Sequence, residues 1–236
     1  MYDDVLWHDV RALLGHERER ESPFHFRQEI DVTVSRLSST GHALALSSDW
    51  VIVAPFALPG ERIRVRVYRS ARLHSFADLL AILEPNTELR DDNRVQCKYF
   101  GKCSGCQYQM LAYDTQLQFK RDVLVNAYNN FSSLDVVPTV LPTIGSPKQY
   151  HYRTKITPHF EAPPKKVRAN PHPPTDPKPD WLKIGFNEIG TKKVIDIEVS
   201  PHVFRFSSPL THCQECPIAT PVLNDAFGPI REKIIQ

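Results

Sequence analysis

Cys97-Lys-Tyr-Phe-Gly-Lys-Cys103-Ser-Gly-Cys106-Gln-Tyr-Gln109 places three of the chain's five cysteines within ten residues. No other stretch constrains the fold so much, because thiols this dense suit a tight loop closed on a metal or a cluster. Gly101 and Gly105 are expected to let the backbone turn there without Cβ clashes. A fourth ligand must come from elsewhere, and the candidates are Cys213 and Cys216 in His212-Cys-Gln-Glu-Cys216-Pro217-Ile218. A Pro directly after the last ligand recurs at iron-sulfur sites. Three readings stay open on the residues alone. Zinc pairs Cys103-x2-Cys106 with Cys213-x2-Cys216 and leaves Cys97 idle. A cluster uses Cys97, Cys103, Cys106 and one later cysteine. Or the thiols stay reduced and merely pack. Disulfides are not expected, since the count is odd and no secretory signal is present; this places the chain inside the cell, in cytoplasm or nucleus.

The 236 residues allow two small domains, and an apolar fraction of 41% supplies a core. Net charge is only +2, so any basic footprint for a polyanion must be local. The longest apolar runs are far too short to span a bilayer. Val5, Leu6, Trp7, Val10, Leu13 and Leu14 predict a short helix stopping at Gly15, followed by a charged linker to residue 27.

From residue 28 the period becomes two. Ile30, Val32 and Val34, then Ala43 to Leu46, Trp50 to Val53, Ile63 to Val67 and Phe76 to Leu83 read as short strands at regular spacing, a small antiparallel barrel over 28–86. On the fourth strand Arg62, Arg64 and Arg66 share one face, and Arg69 and Arg72 extend the row. Five arginines in eleven residues, with no lysine among them, point to phosphate recognition, because the guanidinium fork matches phosphate oxygens. A solvated outer face is the competing reading.

Residues 87–236 read as a small mixed α/β domain carrying the cysteines, so the fold class is α+β. Asp114 is expected to cap a helix from about Thr115 to Phe131, with Leu117, Leu124, Tyr128 and Phe131 on its buried stripe and Lys120 and Arg121 alongside; the helix should pin the cysteine loop to the rest of its domain. Strands are expected at Val136–Val140, Tyr150–Ile156, Lys183–Phe186 and Lys193–Ile197. The proline-rich 163–180 stretch should be an extended mobile loop. Thr220-Pro221 opens a last helix that reaches Ile-Ile-Gln without a cap and reads as cut rather than finished.

Ser39-Thr-Gly41, Val53-Ala-Pro-Phe-Ala-Leu-Pro-Gly60-Glu and Val65-x-Val67-Tyr resemble a TRAM domain. The cysteine stretch, Tyr113-x2-Gln116-Leu117-x2-Lys120, Tyr152-Arg153-x-Lys155, Ile184-Gly185-Phe186 and Cys216-Pro-Ile218 are similar to the RNA uracil-5 methyltransferase family, nearest its fungal tRNA uracil-54 branch. The resemblance implies a [4Fe-4S] cluster on Cys97, Cys103, Cys106 and Cys216, with zinc as the alternative and Cys213 surplus. It implies tRNA as partner, with Arg62, Arg64, Arg66, Arg69, Arg72, Lys120, Arg121, Arg153 and Lys155 as basic contacts. The family reaction adds an enzyme cysteine to C6 of a flipped uracil, transfers methyl from S-adenosylmethionine to C5, and removes the C5 proton with a carboxylate.

The likeness stops before a methyltransferase domain: no Gly-rich cofactor loop, no Asp-Pro-Pro-Arg tetrapeptide and no cysteine in the nucleophile's motif is present. The chain therefore reads as a substrate-binding front part without activity of its own, and no catalytic or cofactor-binding residue is assigned. A free-standing RNA-binding, iron-sulfur or zinc module that is not an enzyme is the alternative. Against the family pattern, Val199 to Gln214 interrupt the run from Glu198 to Glu215. Val-Ser and Cys-Gln can be encoded by splice-donor-like and acceptor-like codons, so this insertion reads as a retained intron translated in frame, with a natural surface loop as the competing reading.

Overall fold

Helical spacing near the start produces α1 (Tyr2–Leu14), and period-two alternation then produces five strands: β1 (Glu29–Leu37), β2 (Ala43–Ser47), β3 (Trp50–Ala54), β4 (Arg62–Ala71) and β5 (His74–Glu84). These close into a barrel in the order β1-β2-β3-β5-β4. The structure is a computed structural model and describes residues 2–16, 18, 20–131, 134–169, 178–197 and 216–235. It divides into two units, one made of residues 1–94 and 110–145, the other of 95–109 and 146–236. Among the described residues no helix is long and apolar enough to cross a membrane.

The barrel is not wholly antiparallel as expected. A closed ring of five strands cannot alternate direction all the way round, so one pair must match, and β3 and β5 run parallel from Val51–His74 to Val53–Phe76. Strand β4 shows the expected alternation: Ile63, Val65 and Val67 are buried while Arg62, Arg64 and Arg66 are exposed. Strand β3 is buried at every residue because α1 lies against it, with Leu6 and Val10 joining the barrel's core. Trp50 Nε1 donates to Ser75 Oγ at 3.0 Å, which satisfies the one polar atom of the largest buried side chain. Asp9, also buried, accepts from Ser39 N (2.7 Å), Ser39 Oγ (2.8 Å) and Asn130 Nδ2 (2.7 Å), tying α1 to the β1–β2 turn.

Glu61 carries a charge with 0% exposure, and its partner is Arg90. The fork is bidentate: Arg90 Nε to Glu61 Oε1 at 2.5 Å and Nη2 to Oε2 at 3.0 Å. Leu58 N also donates to Oε2 (2.8 Å), and Arg90 Nη2 donates to the Phe56 carbonyl (2.7 Å). One buried pair thus closes the turn between β3 and β4 onto the segment after β5. In the sequence Glu61 shows only as the end of the Val53-to-Glu61 motif, and nothing there marks Arg90 as its partner.

Helix α2 (Tyr113–Phe131) begins two residues before the expected start. Asp114 sits inside its first turn instead of capping it, and Gln116 N bonds to the Ala112 carbonyl at 3.0 Å. The helix packs beside α1 in the barrel's unit rather than with the cysteine loop, and Leu124 on its supposed buried stripe is 47% exposed.

The second unit holds β6 (His159–Phe160), α3 (Lys165–Ala169), β7 (Ile184–Asn187), β8 (Val194–Asp196) and α4 (Pro221–Ile235), with the strands in the order β6-β7-β8. Strands β7 and β8 and helix α4 match expectation; β6 was not foreseen. Residues 136–140 and 150–156 form no strand. Pro138 and Pro142 deny the first segment a ladder, and the second pairs along a turn at 217–219 instead, with His151 N and Arg153 N donating to the Pro217 (3.0 Å) and Ile218 (2.8 Å) carbonyls. The proline-rich stretch is not wholly extended, because Pro163 and Pro164 precede the short α3, whose Val167 N bonds back to Pro164 O at 2.9 Å. Residues 170–177, Cys213 and the suspected insertion at 199–214 lie outside the described residues. Gly185 is required by space: a Cβ there would meet Ile195 O at 2.1 Å and Ile197 Cγ1 at 2.5 Å.

Breaking one side of a buried pair strands the other charge, at a cost of about 3–5 kcal/mol. Glu61→Ala is therefore expected to lower barrel stability by about that amount in urea unfolding, with Glu61→Gln intermediate.

Candidate metal centre

The cysteine loop is built from short-range turns. Phe100 N bonds to Cys97 O (3.0 Å) and Cys103 N to Tyr99 O (2.9 Å), and the chain reverses at Gly101, whose φ of +84° strains any residue with a Cβ. Gly105 does not have that role, since its φ is ordinary and a Cβ there would touch Cys103 Sγ at 3.5 Å. The loop is pinned to the end of β7: Ser104 N donates to Asn187 O at 3.1 Å, Cys103 bridges Glu188, and Ile189 N donates to Lys102 O at 2.9 Å.

Cys216 arrives from the far end of the sequence on a turn closed by Ala219 N to Cys216 O at 3.1 Å. Asn224 of α4, itself buried, donates its Nδ2 to the same carbonyl at 3.0 Å. Thr220 precedes Pro221 and accepts from Leu223 N and Asn224 N, so the helix start fixes the turn that carries the thiol.

Cys97, Cys103, Cys106 and Cys216 all line one cavity of about 230 Å³, walled also by Tyr99, Phe186 and Ile197. All four are free thiols. They surround the cavity without meeting at a point, and among the described residues no group of three or more His, Cys, Asp or Glu is closed to ligating distance. Burial pushes Cys97 up to about 11 and raises Cys103 and Cys106, so these three are neutral thiols at pH 7 in the absence of a cation. Hydrogen bonding opposes the burial at each of them. Tyr99 N–H is directed at Cys97, Gly105 N–H at Cys103 and the Gln109 side chain at Cys106. Donors aimed at sulfur favour the thiolate, the form that binds metal. Arg153, exposed at the cavity mouth, acts in the same direction on Cys103 and Cys106.

The expected basic contacts are dispersed. Arg64 makes a bidentate pair with Asp31 (Nε–Oδ1 2.7 Å, Nη2–Oδ2 3.0 Å), and Arg62 reaches Glu84 (3.0 Å) and Asp31 (3.5 Å). Arg66 stands in register with Glu29 on one side and Asp78 on the other. Arg69 stacks over Phe76 and Arg72 over Trp7, at 4.1 and 4.3 Å from the ring centroids. The row is thus interleaved with acids from neighbouring strands, which sequence reading of a single strand could not see. Lys120 is exposed, and Arg121 donates to the Val140 carbonyl at 2.9 Å. Lys155 is exposed, with its carbonyl accepting from Arg153 Nε at 3.1 Å.

No family model matches the chain. Against curated proteins it is 39% identical over 234 residues to the tRNA (uracil(54)-C(5))-methyltransferase of Schizosaccharomyces pombe, covering 98% of this chain and 39% of that protein. It is 33% identical over 252 residues to the tRNA (uracil(54)-C(5))-methyltransferase of Saccharomyces cerevisiae, covering 99% of this chain and 37% of that one. The chain therefore spans less than two fifths of the length of either relative. Among solved structures, Pyrococcus abyssi tRNA (uracil-54, C5)-methyltransferase in complex with S-adenosyl-L-homocysteine gives a TM-score of 0.46 at 24% identity over 86% of this chain and 36% of that one, a likeness too slight to argue from.

Proposed function

We propose that this chain is the RNA-handling part of a tRNA (uracil-5-)-methyltransferase, and that Cys97, Cys103, Cys106 and Cys216 hold a [4Fe-4S] cluster in it. The observation that carries the reading is the gathering of these four thiols around one cavity, in a chain similar over 98% of its length to a protein named for that activity. The donor set fits the group. Four thiolates accept zinc or iron, but zinc built on two Cys-x2-Cys pairs would leave Cys97 idle, whereas Cys97 lines the cavity with the other three. Donors aimed at three of the sulfurs suit a cluster, whose negative charge needs such bonds. When bound, the cluster supplies iron-thiolate bonds in place of neutral, desolvated thiols. The chain's part is to hold those thiols on turns fixed by β7 and α4.

Residues 28–86 are proposed as a TRAM-type barrel that meets tRNA phosphates through Arg62, Arg64 and Arg66, with Arg69 and Arg72 at the end of the row. Their acidic partners do not forbid this, because an exposed ion pair contributes only about 0–1 kcal/mol and a phosphate takes the same guanidinium fork. Lys120, Arg121, Arg153 and Lys155 are proposed as further backbone contacts. S-adenosylmethionine is proposed as methyl donor to the whole protein, and no described residue is assigned to it or to the chemical steps at the flipped uracil.

Anaerobic expression followed by iron and sulfide analysis is expected to find both, with a broad visible absorbance that Cys97→Ser abolishes. Stoichiometric zinc without sulfide contradicts the cluster. For the barrel, replacing Arg62, Arg64 and Arg66 together by Gln is expected to weaken tRNA binding several-fold for all sequences. The slope of log K against log salt should flatten by about 0.9 per lost phosphate contact. Unchanged affinity and slope would mark the row as a solvated ion-pair face.

A further inference from the structure

Gln109 is 7% exposed and lines the cavity of the four thiols, yet its amide is not among the thiolate ligands that soft iron or zinc centres take. Its Oε1 accepts from two successive backbone amides, Gln96 N at 3.1 Å and Cys97 N at 3.3 Å. This settles the orientation of the amide, since a flipped side chain would press two N–H donors against its own NH2. Nε2 must then face the other way. It is buried without a hydrogen-bond partner, in the cavity that Cys106 also lines. A buried amide N–H without an acceptor is destabilising, so a side chain kept in this position needs an acceptor on the cavity side.

We infer that Gln109 is a positioning residue for the proposed cluster: its Oε1 holds the backbone at Cys97 while its Nε2–H donates to the Cys106 sulfur once that sulfur is a metal-bound thiolate. The inference rests on the cluster reading. One side chain thereby couples, once metal is bound, two ligands that lie on opposite sides of the Gly101 turn. Metal binding supplies the missing acceptor, because a metal-bound thiolate brings negative charge to the cavity that Gln109 lines. A hydrogen bond to a ligand sulfur also withdraws charge from the cluster and so favours its reduced form.

The test is potentiometry on the whole chain loaded anaerobically with iron and sulfide, comparing wild type with Gln109→Glu and Gln109→Met. Glu keeps the acceptor for the Gln96 and Cys97 amides but presents an oxygen to sulfur. Met fills the same space with neither group. Both loaded variants are expected to show about a tenfold lower ratio of reduced to oxidised cluster at a fixed solution potential, about 59 mV for a one-electron couple. Both are also expected to lose iron faster than wild type to a chelator. Variants that load and titrate at the wild-type potential overturn the inference while leaving the cluster reading intact. Failure of both variants to load, with far-UV circular dichroism changed as well, would show a residue needed only for packing and also overturn it. A wild-type chain that takes up no iron and sulfide overturns the cluster reading and this inference together.

Discussion

Four thiols gathered around one cavity and largely withdrawn from water are the constraint on which the unit of residues 95–109 and 146–236 depends. Its apolar core among the described residues is small, with Leu182, Ile184, Ile197 and Phe227 buried and a few aromatic and aliphatic side chains half-buried around them. Its sheet has three strands of two to four residues. Cores of this size are marginal by themselves, and small domains commonly complete them with a structural metal. The polar interactions here serve the same end. Asp196 receives Arg231 Nη1 at 2.6 Å, Lys178 Nζ at 3.0 Å and Ile184 N at 3.1 Å, which outweigh burial and hold its carboxyl down to about 2. That network fastens α4 to the sheet, and α4 in turn fastens the Cys216 turn through Asn224. The proposed cluster would close the remaining side, where turns pinned to the end of β7 carry Cys97, Cys103 and Cys106.

The barrel solves its folding problem differently. Closure removes sheet edges, α1 covers the strand that is apolar on both faces, and Glu61 with Arg90 locks the longest turn without any metal. Its outer face carries paired charges, so the arginine row is ordered before any partner meets it. A phosphate partner would exchange one anion for another on a preset fork, which favours geometry over net charge. That is consistent with a chain whose overall charge is only +2.

Much of this was legible in the residues because it rests on local periodicity. Ile63, Val65 and Val67 alternate with arginines whatever the rest of the chain does, and Thr220-Pro221 starts a helix by its own chemistry. The proximity of Cys97, Cys103 and Cys106 was legible from spacing, whereas the choice of Cys216 over Cys213 came from the family resemblance. What was hidden depends on partners distant in sequence. Asp31 and Glu84 neutralise arginines from two other strands, Glu61 finds Arg90 across 29 positions, and β3 meets β5 in parallel only because the ring has five members. Residues 150–156 have strand composition but pair with a turn at 217–219, which no alternation could reveal. Gln109 looked like the tail of a cysteine motif; its two-sided hydrogen bonding is visible only once the loop is folded.

The central claim is that the four thiols bind a metal centre which holds the second unit together. Native-state hydrogen exchange measures this directly, comparing the anaerobically loaded chain with the same chain stripped by chelator. Amides of β7, β8 and residues 216–219 are expected to lose most of their protection on stripping, while those of β1 to β5 exchange at unchanged rates. Equal protection of the second unit in both states would contradict the account, and would mark Cys97, Cys103, Cys106 and Cys216 as thiols that merely pack.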